Sequence, residues 1–176
     1  FTSELEQYLL LTREENIDLL SATGSYAGAM GYGQFIPSSY RSYAVDFDAS
    51  GTRDLWNSPM DIIGSVANYF HRHGWTQGEP VAVRAEVTGD AYQPLLELGY
   101  KPNTVLHAMR HDGVTPVTEM PDDLEAALIA FEQQDGPEYW LGFNNFYVIT
   151  RYNHSPLYAM AVYQLSEEIR AAYEAR

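Results

Sequence analysis

Gly24-Ser25-Tyr26-Ala27-Gly28-Ala29-Met30-Gly31-Tyr32-Gly33-Gln34-Phe35-Ile36-Pro37-Ser38-Ser39-Tyr40 is the most informative stretch of this 176-residue chain. Gly24, Gly28, Gly31 and Gly33 crowd together there, and such density lets a backbone approach packed neighbours or a ligand closely. The interleaved Tyr, Met, Gln and Phe are too large and too varied for a Gly/Ser tether, so the stretch reads as built structure and not as linker.

On its N-terminal side, Ser3 and Glu6 have the spacing of a capping box, and Leu5, Tyr8, Leu9 and Leu10 follow at helical spacing. A first helix is expected there. On its C-terminal side, Ser58-Pro59-Met60-Asp61 combines an N-cap Ser, Pro at the first helical position and an acid in the first turn. The helix it starts is expected to bury Ile62, Ile63, Val66, Ala67 and Phe70 and to stop at Gly74. From Pro80 to about Glu86, Val81, Val83 and Ala85 alternate as in a short strand. Asn103-Thr104 is expected to cap a short helix over Val105, Leu106 and Met109, ended by Gly113. Leu128–Phe131 and Tyr139–Leu141 read as a hairpin around Gln134-Asp135-Gly136-Pro137, with Asp-Gly as the turn signal. Ser155-Pro156 repeats the cap-plus-proline start, and Leu157, Ala161, Leu165, Ile169 and Tyr173 predict one packed face on the last helix. The sum is a mainly α chain of α+β class. Its segments are 1–79, a small mixed α/β lobe at 80–141, and a helical return at 142–176.

Composition narrows the function. Hydrophobic residues at 45% and charged residues at 19% describe a folded chain. A net charge of −14 repels phosphate backbones and anionic headgroups, which argues against nucleic acid and membrane surfaces and suits neutral polysaccharide or a divalent cation. With no cysteine, any metal must use oxygen or histidine. No run approaches the roughly 20 apolar residues that span a bilayer. The chain begins at Phe1 instead of Met, so a processed protein or a fragment is expected.

Asp46-Phe47-Asp48-Ala49-Ser50-Gly51-Thr52-Arg53-Asp54 sets side-chain oxygens at positions 1, 3, 5 and 9 around a Gly at position 6, the spacing of an EF-hand loop, with the Thr52 carbonyl at position 7. The match is partial: Asn57 stands at position 12, so Asp61 would have to close the site. A plain acidic surface turn, with Asp61 only capping its helix, is the alternative. Gathered carboxylates repel one another without a cation, which favours metal. His71 and His73, and His107 and His111, pair at short spacing, but helix-end histidines are ordinary dipole partners. Ser25, Tyr26, Gln34, Phe35, Asn68, Tyr69, Tyr147, Arg151, Tyr152, Asn153 and Tyr158 form a polar and aromatic set of the kind that holds sugar rings.

The Gly24–Tyr40 stretch closely resembles the signature of the MltB-type lytic murein transglycosylases, glycoside hydrolase family 103. Tyr43-Ala44-Val45-Asp46-Phe47 with its loop, Ile63-Gly64-Ser65-Val66-Ala67-Asn68-Tyr69-Phe70, His73-Gly74-Trp75 and Ile149-Thr150-Arg151-Tyr152-Asn153-His154-Ser155 resemble family segments in family order. The resemblance implies a lysozyme-like helical catalytic domain with a small mixed β lobe and an EF-hand-like loop at 46–61. It implies cleavage of the MurNAc-GlcNAc β-1,4 bond of peptidoglycan with formation of 1,6-anhydro-MurNAc. Carried over by position, Ser25, Gln34, Tyr69, Tyr152, Asn153 and Tyr158 would line the glycan cleft. Asp46, Asp48, Ser50, Thr52 and Asp61 would hold calcium or sodium.

The family's catalytic Glu sits in a Glu-Ser/Thr-x-x-Gly context that no Glu of this chain shares, so it is expected upstream. Glycan strands are the expected partner, with no nucleic acid, a monomeric state, and a periplasmic location with anchoring through an N-terminal part. A non-catalytic, calcium-stabilised peptidoglycan-binding module is the alternative, and the sequence upstream of Phe1 separates the two.

Overall fold

A computed structural model describes all residues, 1–176. The chain divides into two units, Phe1–Arg72 and His73–Arg176. The division falls seven residues before the segment end expected at 79, and the helices of 142–176 group with the sheet in the second unit.

The first unit holds α1 (Thr2–Glu14), α2 (Pro37–Tyr43) and α3 (Pro59–Arg72). Its buried residues include Leu11, Met30, Phe35, Tyr40, Ala44 and Leu55. The Gly-rich stretch is not helical. It folds back on itself through antiparallel bridges pairing Gly24 with Met30 and Met30 with Phe35. Pro37 then opens α2, where its missing N–H costs nothing. Three acids of α1 and its end hold the neighbouring segments: Glu4 accepts the Ser38 N–H at 3.0 Å, Glu14 takes Arg41 at 2.6 and 2.9 Å, and Glu15 takes Arg53. Tyr40 is fully buried and donates its hydroxyl to the Arg53 carbonyl; burial pushes its pKa up to about 12.

Two expectations fail here. α1 begins at Thr2 with Phe1 as N-cap and no side-chain cap, so Ser3 lies inside the first turn and the capping box is not made. Leu11 and Thr12 are its buried residues, while Leu5, Leu9 and Leu10 are exposed. In α3, Ile63 is 70% exposed and the buried positions are Asp61, Gly64 and Ser65. The inward face is polar because its job is to satisfy backbone: Ser65 Oγ accepts the Val45 N–H at 3.0 Å, and the Asn68 amide donates to the Tyr43 carbonyl at 2.8 Å.

The second unit is built on an antiparallel sheet of order β2-β4-β5-β1-β3, with β1 Ala82–Val87, β2 Thr104–Val105, β3 Val114–Pro116, β4 Glu125–Gln133 and β5 Gly136–Gly142. β4 and β5 form the expected hairpin, closed by Gln134-Asp135, with Gln133 paired to Gly136. Ala126 and Leu128 of β4 join Leu141, Val114, Leu106 and Met109 in one core, and Ala127, Ile129 and Phe131 are buried as well, so β4 is covered on both faces. α4 (Gln93–Leu96) and α5 (Leu106–His111) pack near it, followed by α6 (Asn144–Tyr152) and α7 (Pro156–Glu174). The helix expected over Val105 starts one residue later, because Thr104 and Val105 pair with Ala126 and Glu125 as strand β2. Ser155 caps α7 as expected, accepting the Tyr158 N–H. Its expected packed face is corrected: Ala159 and Met160 are buried, whereas Leu157, Leu165, Ile169 and Tyr173 are 57–76% exposed. No helix is long and apolar enough to cross a membrane.

Asn145, fully buried, joins the start of α6 to the turn before the sheet: its Oδ1 accepts the Thr76 N–H at 2.9 Å and its Nδ2 donates to the Thr76 and Glu79 carbonyls at 2.8 and 3.0 Å. Asn145→Ala removes the partner of the Thr76 N–H and of the Glu79 carbonyl, while the Thr76 carbonyl keeps the Glu79 N–H at 3.3 Å. Urea unfolding is expected to show a loss of about 3 kcal/mol, against less than about 0.5 for Asn103→Ala on the surface.

Candidate functional site

The acidic loop is organised by α3. Asp61, in the first turn of that helix and fully buried, accepts the Phe47 N–H at 2.8 Å and the Asp48 N–H at 3.3 Å on one oxygen, and the Asp54 N–H at 2.9 Å on the other. Asp46 accepts the Ser50 and Gly51 N–H groups at 3.0 and 2.8 Å. Asp48 accepts the Ser50 N–H at 3.0 Å and the Ser58 hydroxyl at 2.8 Å, and these bonds, the Ser58 one foremost, hold its carboxyl below the usual range. Burial pushes Asp54 up, but the Asn57 side chain and the Trp56 and Asn57 N–H groups outweigh it and keep its carboxyl low. Gly51, at the sixth position, has φ +92°, which a residue with a Cβ adopts only with strain.

Asp46, Asp48 and Asp61 thus come together, each offering a carboxylate oxygen within 4.8 Å of the others. None of the chain's ion pairs reaches these three acids. Three hard oxygen donors, gathered by backbone N–H groups and unmatched by any Lys or Arg, fit an oxygen-seeking divalent cation. Ser50 is placed by its own N–H bonds to Asp46 and Asp48, and its hydroxyl lies 3.4 Å from the Thr52 carbonyl. Sequence reasoning saw Ser58 only as a cap. It also ties Asp48 to the helix start, a pairing across ten residues that no local pattern signals.

The six residues expected to line the glycan cleft fall three to each unit. In the first, Ser25 sets a tight turn: its N–H donates to the Ala29 carbonyl at 2.9 Å and its Oγ accepts the Ala29 N–H at 3.2 Å. It borders a cavity of about 440 Å³ with Phe1, Leu5, Tyr8, Tyr26 and Met30. Gln34 has φ +49°, a left-handed conformation unusual for a residue with a side chain. Its N–H and its Nε2 both donate to the Gly31 carbonyl, at 3.2 and 2.9 Å, which fixes the amide with Oε1 as the remaining acceptor. Gly31 is required there, since a Cβ would lie 2.5 Å from the Leu55 carbonyl oxygen. Tyr69 packs edge-on to Tyr43 at 4.9 Å and near Phe35 at 5.9 Å. In the second unit, Tyr152 and Tyr158 stack at 6.5 Å with 9° between their planes. Asn153 ends α6 and accepts the Ser155 N–H at 3.0 Å, turning the chain into α7.

Solved structures of lytic transglycosylases superimpose on this chain, which therefore has the lysozyme-like transglycosylase fold. The chain belongs to the family described as Transglycosylase SLT domain, which residues 1–167 match. It is 49% identical over 172 residues to membrane-bound lytic murein transglycosylase B of Escherichia coli (strain K12), covering 98% of this chain and 46% of that protein. Soluble lytic transglycosylase SltB1 from Pseudomonas aeruginosa superimposes with a TM-score of 0.90 at 49% identity, covering 98% of this chain and 57% of that one. The Escherichia coli lytic transglycosylase Slt35, solved in complex with calcium, superimposes with a TM-score of 0.87 at 48% identity, covering 97% and 53%. The chain therefore spans about half the length of these relatives.

Because Asp61 terminates three backbone N–H groups, Asp61→Ala is expected to cost about 3 kcal/mol or more in chemical unfolding, and Asp61→Asn less, since one oxygen remains. Asp123→Ala, on the surface, serves as the control and is expected to stay within about 0.5 kcal/mol.

Proposed function

We propose that the protein works as the glycan-binding part of a lytic murein transglycosylase, which cleaves the MurNAc-GlcNAc β-1,4 bond of peptidoglycan and leaves a 1,6-anhydro-MurNAc end. The supporting observation is near-half identity to a lytic murein transglycosylase along almost the whole chain. In this reaction one carboxyl group protonates the glycosidic oxygen and then accepts the proton of the MurNAc C6 hydroxyl as that oxygen attacks C1, so no water is consumed. We assign that acid to polypeptide outside residues 1–176. Glu4, the one carboxylate bordering the Ser25 cavity, is engaged in holding Ser38 at the start of α2.

The chain's own residues bind and orient. Gln34 presents a fixed amide oxygen to an N-acetyl N–H, Ser25 lies at the cavity wall beside the reacting groups, and Tyr69, Tyr152, Asn153 and Tyr158 give ring faces and hydrogen bonds to the sugars. Asp46, Asp48 and Asp61, with the Ser50 hydroxyl and the Thr52 carbonyl, would hold calcium, whose charge neutralises the gathered acids and stiffens the loop. The place of work is where murein lies, the periplasm.

The chain 1–176 alone is expected to co-sediment with murein sacculi and to release no anhydro-muropeptides detectable by mass spectrometry, since acid-base catalysis of roughly 10² to 10⁴-fold is missing. Anhydro product from this chain would place the acid within it. Gln34→Ala and Tyr152→Ala are expected to weaken sedimentation roughly tenfold with unchanged melting temperature.

Calcium at a hundredfold excess over its dissociation constant is expected to add about 2.7 kcal/mol to folding, seen as a rise of several degrees in melting temperature that chelator reverses. Equal melting in calcium and in chelator, for the parent and for Asp46→Ala alike, would end the metal assignment.

A further inference from the structure

Two concavities of the first unit meet at Tyr32 and Trp56. One, of about 320 Å³, contains Gln34; the other, of about 490 Å³, continues past Asn57 and Pro59 to Ile62 and Ile63. No Asp, Glu, Lys, Arg or His lines either one, although the chain carries a net charge of −14. Three other concavities all include charged side chains: Glu4 in one, Lys101 among three carboxylates in another, Glu15, Arg53 and Asp54 in the third. An uncharged depression bordered by two aromatic rings on so acidic a protein suits an uncharged ligand with apolar ring faces.

Resting on the reading that Gln34 contacts glycan, we propose that Tyr32, Trp56 and Asn57 form a further pyranose subsite, which extends the glycan from Gln34 along the start of α3 and takes an uncharged N-acetylhexosamine ring. The backbone holds these residues in place: the Tyr32 N–H donates to the Leu55 carbonyl at 2.9 Å, so the Gly-rich turn is fastened directly to the residue preceding Trp56. Tyr32 is 79% exposed, an area of ring that folding leaves uncovered. Trp56 packs one side against Tyr40, with ring centroids 5.7 Å apart. No protein group accepts its indole N–H, and no buried side-chain polar atom lacks a partner, so this donor faces solvent. The Asn57 amide nitrogen is taken by Asp54 at 3.0 Å, which leaves its Oδ1 as an acceptor. A ring platform, one donor and one acceptor match the apolar face, hydroxyls and acetamido group of a GlcNAc-type sugar.

The test is a titration of the ¹⁵N-labelled chain with N,N′-diacetylchitobiose and with fully N-acetylated chitohexaose, called chitohexaose below. With chitohexaose, the Trp56 indole resonance, assigned by its disappearance in Trp56→Phe, and the Tyr32 amide are expected to shift. Tyr32→Ala is expected to weaken chitohexaose binding roughly tenfold at unchanged melting temperature, while Gln34→Ala weakens both sugars. If Tyr32→Ala and Trp56→Phe bind chitohexaose as the parent does while Gln34→Ala does not, the extension is wrong and the glycan reading stands. If the parent binds neither sugar, both are overturned.

Discussion

A single buried carboxylate holds the first unit in register. Asp61 reaches from the first turn of α3 to three N–H groups spread over Phe47, Asp48 and Asp54, which fixes both ends of the acidic loop to one side chain. A carboxylate removed from water is costly unless its oxygens find donors, and three charge-assisted bonds supply both Asp61 oxygens. Ser65 and Asn68 continue the same helix face by bonding to Val45 and Tyr43. The buried face of α3 is therefore a polar spine for an otherwise irregular segment, and it lies opposite the face that an apolar-periodicity reading would hide in a core.

From that spine a run of contacts leads to the Gly-rich turn. The loop ends at Leu55, whose carbonyl accepts the Tyr32 N–H. Leu55 lies so close to Gly31 that no side chain fits between them. The Gly31 carbonyl in turn takes both the backbone and the side-chain N–H of Gln34. Asp61, through the Asp54 N–H, then Leu55, Gly31 and Gln34 form a continuous run of short contacts through the backbone.

Much of this was legible in local sequence. Ser58-Pro59 and Ser155-Pro156 start helices because the cap and the proline act within one turn, and the Asp-Gly signal locates the hairpin between β4 and β5 to within one residue, the turn itself being Gln134-Asp135. The acids of the loop were legible as a set from their spacing. The partners of Asp61 were not, since they lie up to 14 residues away. The last helix shows why a periodic pattern misleads: residues four apart advance about 40° around the axis at each step, so Leu157 to Tyr173 wind over about 160° instead of lining one face. Ala159 and Met160, which break the pattern, make the buried contact. Tyr32 and Trp56 carried no signal in the sequence, because what singles them out is exposure and an unused N–H, both properties of the folded chain.

Gln34 combines local backbone strain with a side-chain amide held in one orientation. A left-handed φ costs a residue with a side chain on the order of 1 kcal/mol, and glycine at this position would be free of that cost. Glycine, however, would also discard the amide that the Gly31 carbonyl holds in place. The bond to Gly31 determines which end of the amide is turned inward: the nitrogen must face the carbonyl, and the oxygen is left for a donor outside the protein. A free glutamine would lose side-chain freedom on meeting a ligand, whereas one already pinned has lost it on folding, so the entropy of ordering the amide falls on stability and not on affinity. The conformational cost at residue 34 is thus the counterpart of a preorganised acceptor, and the contacts that sustain it are those that run back through Leu55 to the carboxylate of Asp61.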